Sequence, residues 1–93
     1  MTIHFDSGMA GVRQLTRQLR LGKYTSIGSY PVFFITARGG VLSYQGIKEN
    51  IWAVLRAVRD GEAGLSPVAC DVNYENSSLQ CELTEESIEA AYL

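Results

Sequence analysis

Ninety-three residues hold one domain, because a second core needs more chain, and a chain this size buries roughly 60–65 % of its unfolded surface. A hydrophobic share of 46 % and a charged share of 19 % argue against wholesale disorder, and no apolar run approaches the roughly 20 residues that span a bilayer. The net charge of −2 hides a division: residues 1–59 carry all eight basic groups against Asp6 and Glu49, whereas residues 60–93 carry eight carboxylates and no Lys or Arg, so the molecule has an electrical direction.

Met1 to Asp6 lacks the basic-then-apolar pattern of a signal peptide, so the expectation is a cytoplasmic protein. The lone histidine, His4, sits in a terminus expected to fray and is read as incidental. Asp6 or Ser7 can cap a helix over residues 8–21, with Gly22 as its stop. Helical spacing puts Val12, Leu15 and Leu19 on one face and Arg13, Arg17 and Arg20 on the opposite one. Pro31 opens an aromatic and β-branched strand over 31–36. Arg38, Gly39 and Gly40 turn it into Val41-Leu42-Ser43, a hairpin.

Ser43 then caps a long helix over 44–60 closed by Gly61, whose buried face is Ile47, Ile51, Val54, Leu55 and Val58. Trp52 points away from that arc, toward Lys48, Arg56 and Arg59; it is either an exposed interface anchor or covered by the first helix. Alternation over Val68, Cys70, Val72 and Tyr74 predicts a strand, turned at Glu75-Asn76-Ser77 into a second strand over 78–83. Thr84 can cap a short last helix, with Glu85 and Glu86 at its positive end. The expected fold is α+β: a mostly antiparallel sheet of about four strands in two hairpins, the long helix on one face and shorter terminal helices.

No motif here carries catalysis. No nucleophile motif accompanies His4, and the carboxylates fall on turns, strand edges and a helix start, where solvent keeps them ionised. Residues 38–40 lack the lysine of a phosphate-binding loop. If the second hairpin has an even-length loop, Cys70 and Cys81 face each other across it and could form a cross-strand bridge, but buried free thiols are the expectation in the cytosol, and two thiolates alone cannot complete a zinc site. The expectation is a non-enzyme with no cofactor, metal or small-molecule substrate.

Two surfaces are left. Arg13, Arg17 and Arg20, with Lys23, make a basic stripe that is either a solvated face or a nucleic-acid contact, although a pI of 5.2 argues against direct nucleic-acid binding. Asp71, Glu75, Glu82, Glu85, Glu86 and Glu89, with no cation among them, would project a negative field if they share a side. Such a field repels nucleic acid and attracts proteins built to grip phosphates.

Tyr30 to Ser43, Val68 to Glu75 and Ile88 to Tyr92 resemble a family of small proteins from phages, plasmids and integrative elements, a likeness that covers roughly residues 28–93. Some members carry a Cys-x-x-Cys pair twice, like a zinc ribbon. The matching positions here are Ser43 and Gly46, then Cys81 and Thr84, so three of the four ligands are missing. The chain also looks like an anti-CRISPR protein that binds a type I surveillance complex. That likeness implies a stoichiometric inhibitor whose acidic groups, with Trp52, dock on the basic DNA-binding surface of a host CRISPR-Cas effector. The alternative is a regulatory nucleic-acid-binding module that uses the arginine face and has lost its metal.

Overall fold

The structure, a computed structural model, describes residues 2–25, 28, 30–76 and 78–91. Its elements are β1 (Thr2–His4), α1 (Gly8–Arg20), β2 (Val32–Thr36), β3 (Val41–Ser43), α2 (Tyr44–Glu49), α3 (Ile51–Asp60) and β4 (Pro67–Val72). The four strands form one antiparallel sheet in the order β1-β4-β2-β3, so the α+β class and the four-stranded antiparallel sheet are as expected. Among the described residues, no helix is long and apolar enough to cross a membrane.

The hairpin β2–β3 follows its local signals. Gly39 takes φ +92° in the turn, and the Thr36 hydroxyl accepts the Gly40 N–H at 3.0 Å. Val32, Phe34 and Thr36 point inward while Phe33 and Ile35 stay half-buried on the other face. Register puts Leu42, Phe34, Cys70 and Ile3 in one row across the sheet. The helices close that face: Leu15 and Leu19 of α1, Ile47 of α2 and Val54 and Val58 of α3 join Phe34, Leu42 and Cys70 in one core. Alternation on a pleated strand and helical spacing thus select the same buried set.

α1 and α3 touch at Gly11, where an added Cβ would run into the Asp6 carbonyl and lie 2.9 Å from Val58 Cγ1, so only glycine fits between the chain entering α1 and the side chain of α3. Ser7 does occupy the N-cap position of α1, but its side chain makes no cap hydrogen bond. Gln14 reaches back instead, accepting from the Asp6 N–H at 2.6 Å and donating to the Asp6 carboxylate at 2.9 Å.

Three expectations are corrected. The helix over 44–60 is two helices. Ser43 caps it as foreseen, accepting the Gly46 N–H at 2.8 Å, and Gly61 ends it at φ +75°. Asn50, however, interrupts at φ −121°, ψ 32°, its side chain donating to the Gly46 carbonyl at 2.9 Å. Asparagine competes for backbone groups in this way.

The second hairpin does not form. β4 carries β2 on one edge and β1 on the other, so residues 78–83 have no free edge of β4 to pair with. The N-terminal residues, expected to fray, supply the fourth strand instead, pairing Ile3 with Cys70 and His4 with Ala69.

Among the described residues, the last helix is also absent. Residues 79–88 fold back on themselves through Cys81 N–H to Glu86 O at 2.9 Å and Ile88 N–H to Leu79 O at 2.9 Å. Glu85 sits at φ +61°, a left-handed conformation that cannot continue a helix.

Candidate functional site

The C-terminal segment is positioned by two anchors. At one end, the Glu82 N–H donates to the Val41 carbonyl at 3.0 Å, along the outer edge of β3. At the other, Asn73 just beyond β4 donates from its side-chain amide to the carbonyls of Asn76, Ile88 and Glu89. Between them the buried side chains of Cys81 and Ile88 hold the segment against the body of the domain.

This path sorts the six carboxylates read from the sequence. Glu82, Glu85 and Glu86 are exposed on the stretch that runs beside β3. Glu82 approaches Gly40, and Glu86 accepts the Ser43 hydroxyl at 2.6 Å. Glu89 lines one small pocket with Glu86 and Lys23; Lys23 pairs with it at 3.6 Å and the Tyr24 hydroxyl donates to it at 2.8 Å. That hydrogen bond raises the Tyr24 phenol above its ordinary value. Asp71 is half-buried on the sheet face away from the helices, its carboxylate accepting the Val72 N–H at 2.7 Å. Glu75 is exposed beyond the end of β4. Glu82, Glu85, Glu86 and Glu89 thus follow one another along the C-terminal segment, with Glu86 and Glu89 in one pocket wall beside Lys23, whereas Asp71 and Glu75 belong to β4 and the residues just beyond it.

Trp52 is uncovered, at 78 % exposed. α1 passes beside it rather than over it, so Trp52, Leu55, Arg56 and Arg59 of α3 face Met9 and Val12 of α1 across a groove of about 370 Å³. Arg59 donates to Asp60 at 2.9 Å. Lys48, expected near Trp52, lies over the Tyr44 ring at 5.7 Å. Arg13, Arg17 and Arg20 are all exposed on the outward face of α1. His4 is exposed at the end of β1, bordering a separate groove with Gln14 and Arg17.

Cys70 and Cys81 do not face each other across a ladder. Both are buried free thiols, but Cys70 pairs with Ile3 and Phe34 in the sheet while Cys81 sits against α2. Burial and the neighbouring Asp71 push the Cys70 thiol up to about 12. Around Cys81 burial also acts upward, but hydroxyl and N–H donors of Ser43 and Thr84 outweigh it and hold the thiol below its ordinary value. The Ser43 hydroxyl has one proton to give, to Glu86 or to an ionised Cys81.

The four positions that match the zinc-ribbon pairs converge. An added Cβ at Gly46 would lie 2.6 Å from Cys81 Sγ, 3.0 Å from Ser43 Oγ and 3.6 Å from Thr84 Cγ2. One thiol, two hydroxyls and a glycine are a poor donor set for zinc, and close packing of Gly46 on the sulfur fills the centre. Among the described residues, no three His, Cys, Asp or Glu side chains are grouped to hold a metal.

Sequence reasoning missed the apolar wall of the groove, Met9 and Val12, whose spacing of three on one helix was a usable signal. It also missed Asn73 as the anchor of the acidic segment, for which no local signal exists. Comparison with known proteins found no matching family model, no similar curated protein and no similar solved structure.

Proposed function

We propose that this protein is a stoichiometric, non-catalytic inhibitor from a phage or other mobile element, which lays an acidic edge on the DNA-binding surface of a type I CRISPR surveillance complex. The observation that carries the reading is the run of exposed Glu82, Glu85 and Glu86 along one segment. None of the three is ion-paired among the described residues, and residues 60–93 contain no Lys or Arg to offset them. Carboxylates carried in this way stand in for phosphates, and lysines and arginines that hold DNA would accept them through charge-assisted hydrogen bonds. The class of partner comes from the resemblance read in the sequence of residues 28–93 alone. Asp71, Glu75 and Glu89 contribute to the field at longer range, where salt screens them.

A gel-shift competition tests the reading. A purified type I surveillance complex is given its target DNA with and without the protein. The wild type displaces DNA at equimolar ratio, and Glu82→Lys with Glu85→Lys abolishes displacement, a loss of about 1.5–3 kcal/mol per contact. Glu86 stays unchanged in that variant because it holds Ser43. Full inhibition by the variant removes the electrostatic mechanism, and inactive wild type removes the partner. The same gel without the complex tests the α1 arginines, since a salt-sensitive shift of free DNA would favour the nucleic-acid alternative.

A further inference from the structure

The groove between α1 and α3 is built of different material from the acidic edge, and its reading does not depend on that of the edge. Residues 52, 55, 56 and 59 form one stripe of α3 at spacings of three and four, turned away from the core stripe of Val54 and Val58. Opposite them stand Met9, 57 % exposed, and half-buried Val12. The floor is aliphatic, the lip is a tryptophan, and the charged side chains that line it, Arg56 and Arg59, are both cations. Trp, Met and Arg are the residue types that concentrate in the buried centres of protein interfaces.

We propose that this groove is a docking site for an acidic, amphipathic peptide segment of another protein. The segment inserts one apolar anchor between Trp52 and Met9 and sets carboxylates against Arg56 and Arg59. Charge complementarity selects the occupant. Two arginines one helical turn apart match carboxylates spaced three or four residues apart on a partner helix. Arg59 already holds Asp60 in an exposed pair, side chains 56 % and 54 % accessible, and such a pair exchanges readily for another carboxylate. An aromatic beside arginines also suits single-stranded nucleic acid, but the aliphatic floor of Met9, Val12 and Leu55 favours a peptide. With the acidic edge elsewhere, the molecule would hold partners of opposite charge on two surfaces.

Trp52 is the only tryptophan in the chain, so its emission reports occupancy directly. A displayed library of random peptides about 12 residues long, roughly three helical turns, is selected on the full-length protein. The expected survivors carry net negative charge and an aliphatic or aromatic anchor. Once synthesised, they shift Trp52 emission to the blue, bind Arg56→Glu at least about tenfold more weakly, and bind Glu82→Lys/Glu85→Lys as tightly as wild type. Met9→Ala weakens them without changing the circular dichroism. Survivors that are basic or neutral, or that bind Arg56→Glu equally, overturn the proposal. So does salt-sensitive quenching of Trp52 by oligothymidylate, which would assign the groove to nucleic acid, or concentration-dependent dimerisation that buries Trp52.

Discussion

Replacing Asn73 by alanine should release the acidic segment from the end of the sheet. Asn73 is 2 % exposed. Its amide nitrogen donates to the Asn76, Ile88 and Glu89 carbonyls at 3.0, 3.3 and 2.9 Å, and its oxygen accepts the Asn76 N–H at 3.1 Å. Two amide protons serve three acceptors, so about three full bonds are lost, which at 0.5–1.5 kcal/mol each comes to about 2–4 kcal/mol. That is a large share of the 5–15 kcal/mol typical of a domain. Urea unfolding should show the loss, and amide exchange should locate it. The Ala91 N–H, bound to the Asn73 carbonyl, and the Ile88 N–H, bound to Leu79, should exchange much faster, while β2 and β4 are less affected. Asn73→Asp should be worse, because it sets a buried carboxylate against carbonyl oxygens. An unfolding free energy within about 0.5 kcal/mol of wild type, or unchanged exchange at Ile88 and Ala91, would refute the reasoning.

Gly46→Ala forces a methyl group to 2.6 Å from a buried sulfur and 3.0 Å from a capping hydroxyl and should destabilise by about 1–3 kcal/mol in urea melts. Gly40→Ala meets only the flexible Glu82 carboxylate and should cost far less; equal effects would contradict the packing described. Cys70 links stability to alkaline pH. With the folded thiol pushed up from 9.0 to about 12, the unfolded chain loses its proton first. Stability that is intact below pH 9 therefore falls by up to about 1.4 kcal/mol per pH unit as the pH approaches 12. Cys70→Ala removes this component, so parallel pH–stability curves for the two proteins would disprove it.

The elements legible in the sequence are those specified by neighbours in the chain. The Ser43 cap, the Gly61 stop, the Gly39 turn and the period of Leu15 and Leu19 or Val54 and Val58 act over a few residues, and each appears where expected. The division of charge is likewise a property of the chain itself. What only the tertiary structure decided are matters of competition for space. Thr2–His4 is a strand because β4 has an edge to offer, and once that edge is taken residues 78–83 must go to β3 instead. Where the carboxylates fall follows from that route: Glu82 and Glu86 lie against Gly40 and Ser43, and Glu86 and Glu89 share a pocket wall with Lys23. Helical periodicity turned Trp52 outward, but its exposure was decided by where α1 crosses α3 at Gly11, a contact between residues nearly fifty positions apart that no local pattern encodes.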